Sequence, residues 1–235
     1  MEFLETIKNR RTIRKFLDLP VEWEKVTDLL MAGHYAPSAG NLQNWRFIVV
    51  TDKNQRRNVA DACLQQYWIE EAPVSIIICS NTKEMTRHFS DRGNKYDVQS
   101  ACAAAENMLL TAENNGLGSA WIGNFEEDLL KSSLSIPKNV AVHAVLVFGY
   151  ADEKPPMPQK FNIGDISYIN SWDNKIVNMD LVFENWGAVV SKATKDVISA
   201  TSQESKPFIQ KAKEKAKRHI ETIKSKIKDR KSNNK

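Results

Sequence analysis

Cysteine is scarce in this chain. Cys63, Cys79 and Cys102 are the only three in 235 residues, an odd number at wide spacings with no C-x-x-C pair. That pattern excludes a disulfide scaffold, and with no paired histidines nearby it leaves no structural zinc site. His34, His88, His143 and His219 stand far apart, each as readily a core or surface residue as a ligand, so no metal site is expected. Glycine and proline, at 9 and 8, are too few for a collagen-like or low-complexity chain. Long apolar runs are missing as well. Val145-Leu146-Val147-Phe148 and the stretch 74–79, interrupted by Ser75, are among the longest, far short of the roughly 20 residues of a membrane helix. Met1-Glu2-Phe3-Leu4-Glu5 carries acids where a signal peptide carries a basic segment, so a cytoplasmic protein is expected. P-loop, G-x-G-x-x-G, G-x-S-x-G and H-E-x-x-H patterns are all absent, which excludes the commonest motif-borne chemistries.

What is present is divided unevenly by charge. Residues 206–235 hold twelve Lys/Arg and three Asp/Glu, a net +9, so the remaining 205 residues carry −5 of the chain's overall +4. The basic isoelectric point therefore belongs to the tail and gives no reason to read the whole protein as a nucleic-acid binder.

Hydrophobic periodicity predicts a short helix over 2–10, a second opened by Pro20-Val21-Glu22 with Val26, Leu29, Leu30 and Gly33 on one face, and a third over 52–64. Strands are predicted at 46–50, 74–79, 119–122 and 141–149, and a further helix at 126–134. The longest helix is expected over 97–115, with Val98, Ala101, Ala105, Met108, Leu109 and Ala112 as an apolar stripe, ended by Gly116-Leu117-Gly118. Its small residues permit close approach of a neighbouring backbone and suit a central or dimer-forming helix. A proline-bearing loop is expected over 151–162. Strands interleaved with helices imply an α/β or α+β sandwich around one sheet.

Beyond Asp180 the pattern changes. Val182, Trp186, Val189, Ala193 and Val197 recur at helical spacing, and Pro207 starts a last helix. There Ile209, Ala212, Ala216, Ile220, Ile223 and Ile227 line one face and basic residues the other. A solvated helix packed on the domain or a partner subunit explains this segment; a nucleic acid or an anionic membrane surface are the alternative partners.

Three loop segments carry the candidate chemistry. Arg10, Arg11 and Arg14 with Thr12 gather cations and a hydroxyl directly after a helix, as a phosphate dianion requires, although a surface basic cluster reads the same way. Ser38, Asn41 and Gln43 offer hydroxyl and amide groups with no acid among them, which suits a heterocycle better than a metal. Trp121-Ile122-Gly123 follows Gly116-Leu117-Gly118, where glycine backbone could approach a flat ligand or simply turn the chain.

Taken together these segments resemble the nitroreductase family. The likeness rests on Arg10-Arg11-Thr12-Ile13-Arg14-Lys15-Phe16, on Ala36-Pro37-Ser38-Ala39-Gly40-Asn41-Leu42-Gln43-Asn44-Trp45-Arg46-Phe47, and on Ala72-Pro73-Val74. It continues through Ala112 to Gly123 as A-x-x-x-G-L-G-x-x-W-I-G and ends in Val147-Phe148-Gly149-Tyr150, all in family order. The resemblance implies an α+β sandwich with a central, mainly antiparallel sheet flanked by helices. It further implies a homodimer with FMN at the subunit interface and NAD(P)H as co-substrate, reducing a quinone, nitroaromatic or similar small acceptor by a ping-pong mechanism. Residues 1–179 would form the flavin domain and 180–235 a helical extension.

By the same resemblance Arg10, Arg11, Thr12 and Arg14 would hold the phosphate. Pro37, Ser38, Ala39 and Asn41 would border the flavin ring with Gln43 nearby, and Ile122 and Gly123 would face it from across the cleft. Gln66 matches a recurrent glutamine more loosely, and Lys160 stands where the family often has a phosphate-facing arginine. No side chain is assigned as catalytic, and Arg46 or Lys160 is the candidate cation near the flavin N1–C2=O edge. Asn44 replaces the family proline before Trp45, which is expected to loosen that turn. A specialised flavin enzyme, such as a dehalogenase or a flavin-fragmenting enzyme, is the alternative, with Arg87, His88, Arg92 and Asn94 in the 83–95 segment as selectors. So is a flavin-binding protein whose basic tail targets nucleic acid or membrane.

Overall fold

The computed structural model describes residues 2–175. The chain divides into two units, Met1–Pro158 and Gln159–Lys235. The first contains α1 (Phe3–Asn9), α2 (Trp23–His34), β1 (Trp45–Val50), α3 (Lys53–Ala62), α4 (Trp68–Glu71), β2 (Val74–Ser80), α5 (Thr82–Phe89), α6 (Gly93–Asn114), β3 (Gly118–Ile122), α7 (Glu127–Ser133) and β4 (Ala141–Gly149). Its four strands form one sheet in the order β1-β2-β4-β3, and every neighbouring pair is antiparallel. This is the α+β arrangement expected.

The period-2 pattern of the strands divides the core into two layers. Ile77, Cys79, Val145, Val147, Ala120 and Ile122 face one side, where Val59, Ala60 and Ala62 of α3 and Leu130 of α7 cover them. Ile76, Ile78, Ala144, Leu146 and Phe148 face the other, against Val26 and Leu29 of α2 and Ala101, Ala105, Met108, Leu109 and Ala112 of α6. Covered on both faces, β2 buries all seven of its residues, which is why it reads as a continuous apolar run rather than an alternation. Each fully buried Ile contributes about 1.5–3 kcal/mol, and truncating one such as Ile77 to Ala costs about 2–5 kcal/mol.

α6 is the expected central helix, packed on the sheet and on α2, with Asn107 Nδ2 donating to Ala32 O at 3.1 Å. It starts at Gly93, four residues before the predicted start. A Cβ at Gly93 would lie 2.5 Å from Thr86 Cα, so the close turn out of α5 needs glycine there. The predicted stripe is corrected at Val98, which is 48% exposed. The buried line runs instead through Asp97, Ser100, Ala101, Ala104, Ala105, Met108, Leu109 and Ala112, so two polar residues occupy the inward face near its start. Gly116, at φ 74°, ends the helix as anticipated. α4 and α5 have no counterpart among the predicted elements, and α2 begins at Trp23 instead of Pro20.

Residues 12–17 run along one edge of the sheet. Thr12 bridges Ser119 of edge strand β3 and Phe16 bridges Ala151 just beyond β4, while Ile13 N donates to Ser119 O and Leu17 N to Tyr150 O, both at 2.9 Å. In the second unit the described residues form a short 3-10 turn at Ile163–Asp165, where Asn162 Oδ1 accepts from Gly164 N, and a bridge between Tyr168 and Lys175. The predicted boundary at 179/180 and both predicted C-terminal helices lie outside the described residues.

Candidate functional site

The basic segment is held at the C-terminal end of α6. Arg11 closes the end of α1, its Nη1 donating to Lys8 O at 2.6 Å and Arg10 O at 2.9 Å. It lines an open cleft of about 460 Å³ with Glu113, Gly116, Leu117, Gly118, Glu153 and Lys154. Burial pushes the Glu113 carboxyl up against the opposing pull of Arg10 and Arg11. Arg14 lies over the Trp68 ring, 5.8 Å from its centroid. The backbone N–H groups of Arg14 and Lys15 both point at one carboxylate oxygen, Glu153 Oε1, at 2.5 and 3.2 Å. Two consecutive amides among three arginines thus already grip an anion.

The second segment is a strained turn beside the N-terminal half of α6. Gly40, Asn41 and Gln43 have φ of 59°, 55° and 46°. Gln43 N donates to Ser38 Oγ at 3.0 Å, and Gln43 Nε2 reaches Asn41 O and Oδ1 at 3.2 and 3.3 Å. Ala39 N donates to Ser100 Oγ at 3.4 Å. Pro37 and Asn41 are exposed, and Ser38, Ala39 and Gln43 half-buried. The ring of Phe89, from α5, lies 3.0 Å from where a Cβ on Gly40 would sit, so the 83–95 segment flanks this turn, with Arg87, His88, Arg92 and Asn94 all exposed. Arg46 spends Nη1 on Trp45 O at 2.7 Å and Gln43 O at 3.3 Å.

Ile122 is 5% exposed in the core, so that position offers a ligand its backbone, with exposed Gly123 next to it. Gln66 Nε2 donates to Cys63 O at 2.9 Å. Lys160 is exposed and belongs to the second unit. The structure brings Arg11, Thr12 and Arg14 together with the start of β3, and separately gathers Ser38, Ala39, Asn41 and Gln43. The two groups are about 13 residues apart along α6, from Ser100 to Glu113, or roughly 20 Å at ~1.5 Å per residue.

A third polar cluster was not anticipated. Asp97, 1% exposed, accepts from Asn44 Nδ2 at Oδ1 and at Oδ2 from Ser80 Oγ at 2.7 Å and Thr82 Oγ1 at 2.9 Å. His143 Nε2 is 2.7 Å from Ser80 Oγ and 3.5 Å from Asp97 Oδ2. Since the Ser80 proton goes to the carboxylate, Nε2 is the donor to the Ser80 oxygen. Burial pushes the Asp97 carboxyl up, and the hydrogen bonds from His143, Ser80 and Thr82 outweigh it, holding the group below the ordinary value of 3.8. A serine that is fully buried and gives its proton to a carboxylate is no nucleophile. Burial also pushes the Cys63 and Cys79 thiols up to about 12, leaving both inert. The network corrects one expectation: Asn44 ties the turn to α6 instead of loosening it. The readable signals were polar residues at buried register, Ser80 closing an apolar strand and His143 inside another.

Among the described residues, no group of three His, Cys, Asp or Glu side chains is placed to hold a metal ion. No helix among them is long and apolar enough to cross a membrane.

The nitroreductase family matches residues 7–71 and 63–150. The chain belongs to the nitroreductase family. A protein of Archaeoglobus fulgidus named as an NADH dehydrogenase/NAD(P)H nitroreductase is 35% identical over 158 residues, covering 65% of this chain and 88% of the relative. An FMN reductase [NAD(P)H] of Bacillus subtilis is 28% identical, over 72% of this chain and 75% of the relative. The solved structure of an FMN-dependent nitroreductase from Clostridium difficile R20291 superposes with a TM-score of 0.62 at 28% identity, covering 72% of this chain and 99% of that one. In this nitroreductase-family chain the match ends before the basic tail.

Proposed function

We propose that the protein is an FMN-dependent oxidoreductase that passes reducing equivalents from NAD(P)H to a small acceptor such as a quinone or nitroaromatic, donor and acceptor using one pocket in turn. The observation that carries this reading is the basic segment, where paired N–H groups of Arg14 and Lys15 hold a carboxylate oxygen beside Arg10, Arg11 and Thr12. This donor set fits a phosphate monoester, which offers more oxygens and more charge than the Glu153 carboxylate. The acid-free turn of Ser38, Asn41 and Gln43 likewise fits the alternating donors and acceptors of a flavin ring.

When bound, FMN would supply the hydride-accepting and electron-donating chemistry. Arg10, Arg11, Thr12 and Arg14 would hold the phosphate. Pro37, Ser38, Ala39, Asn41 and Gln43 would border the ring, and Ile122, Gly123 and Gln66 would complete its surroundings. The separation of about 20 Å along α6 supports a homodimer. In it the basic segment of one chain and the 37–43 turn of a second copy complete each site. A side-chain acid or base is not required, because protons come from solvent or the acceptor.

The test is direct. The purified protein should show a flavin visible spectrum, release FMN on heating, bleach under anaerobic NADH or NADPH and recolour with a quinone. Parallel double-reciprocal plots would support one pocket used in turn. A colourless protein that takes up no added FMN would remove the assignment.

A further inference from the structure

The turn from Ser38 to Asn44 holds three residues in the left-handed region, two of them not glycine. Such conformations persist only where the surroundings over-determine them. Here hydrogen bonds within the turn, such as Gln43 N to Ser38 Oγ, are backed by one face of α6. Ser100 Oγ takes the N–H of Ala39 at the start of the turn, and Asp97 takes the side-chain amide of Asn44 at its end. Being three positions apart on a helix, Asp97 and Ser100 face the same way, so the turn is clamped at both ends by a rigid element.

The far side of the Asp97 carboxylate is fixed in turn. Ser80 at the end of β2, Thr82 at the start of α5 and His143 on β4 converge on Oδ2, so the acceptor cannot swing to follow the turn. The tie has a cost that packing alone does not require. Asn44 is 1% exposed, and its Oδ1 is buried with no hydrogen-bond partner, whereas the proline of the family motif would fill the position with no polar atom to satisfy.

We propose that Asp97, acting through Asn44, is a positioning residue for the flavin: it sets the angle of the 37–43 turn against the ring. This rests on the proposed function, which assigns that turn to the ring edge. A turn freed from Asp97 relaxes its left-handed residues and moves the groups of Ser38, Asn41 and Gln43 off the ring.

Asn44→Ala and Ser80→Ala separate this role from a structural one. Each removes one donor from the same buried carboxylate, Asn44 on the turn side and Ser80 on the sheet side. The full-length chain is loaded with FMN, and three quantities are read: the dissociation constant by quenching of flavin fluorescence, the midpoint potential of the bound flavin, and the thermal midpoint of the flavin-free protein. Both variants are expected to lose similar thermal stability. Asn44→Ala should also weaken FMN by about tenfold, the worth of one well-placed hydrogen bond, and shift the potential, while Ser80→Ala, with Thr82 and His143 still on Oδ2, leaves both unchanged. Equal effects of the two variants on affinity and potential, or no effect of Asn44→Ala, would overturn the positioning role. Asn41→Ala tests the underlying assignment. If it weakens FMN while Asn44→Ala does not, only the positioning inference falls; if neither does, the assignment of the turn to the ring falls with it. Should Asn44→Ala fail to fold, Asn44→Ser is read in its place with the same order of effects.

Discussion

The two ends of α6 carry polar clusters of opposite kinds. At the C-terminal end, Arg11 lines an open cleft with Glu113 and Glu153, the charge of Arg10 acts on Glu113, and Arg14 N donates to Glu153. At the N-terminal end, Asp97 is enclosed by Asn44, Ser80, Thr82 and His143, and its carboxylate is saturated. The first cluster is open to solvent, which is what the proposed exchange of Glu153 for a phosphate requires. The second has nothing left to offer a ligand and can act only on the elements it joins. In the proposed reading, exposure more than residue type separates the group that would bind from the group that would position.

Substitutions should break this contrast in a definite order. The largest effect is expected from Arg10→Ala with Arg14→Ala, which removes two charge-assisted phosphate contacts of about 1.5–3 kcal/mol each. Fluorescence titration should find FMN affinity lowered by two orders of magnitude or more, with the urea midpoint of the flavin-free chain little changed. Unaltered affinity would exclude the basic segment as the phosphate site. Next comes Asp97→Ala, which strands several buried donors and should lower unfolding stability by about 3–5 kcal/mol in urea melts.

Asp97 also predicts an acid response. Its carboxyl is depressed in the folded state by its hydrogen bonds, so the stability it confers is complete above the ordinary carboxylate value of 3.8 and is lost as pH falls through the lower folded value. The stability difference between the native chain and Asp97→Asn should therefore be constant above about pH 5 and shrink only in the acid range. A difference that instead shrinks with rising pH would contradict an ionised Asp97. A smaller effect is expected at Glu153→Gln, where losing a partly exposed competing charge should tighten FMN by about two- to fivefold. Smallest of all, deletion of 206–235 should leave NAD(P)H turnover unchanged, and a large loss would draw the tail into the activity.

The open cluster was legible in the sequence and the closed one was not. Arg10, Arg11 and Arg14 lie within five residues, so their convergence needed no tertiary information. Asp97, Asn44, Ser80 and His143 come from a helix, a turn and two strands, and only the β2–β4 pairing and the rotation of α6 bring them together. That rotation was misread because Val98 made a better apolar stripe than Asp97, and a buried aspartate is legible only through its partners. Strands β1 to β4 were read to within a residue because alternation and β-branched runs are local signals. α5 was missed because Thr82–Phe89 is mostly polar, with Met85 its only fully buried side chain, and the helix depends on its packing against α6.

The route of residues 12–17 gives the basic segment a second consequence. By pairing with Ser119 it covers the start of edge strand β3. An uncovered edge is a template for another chain's strand. Trimming the chain past Ile13 would thus uncover the start of β3, and any self-association through that edge would masquerade as loss of cofactor.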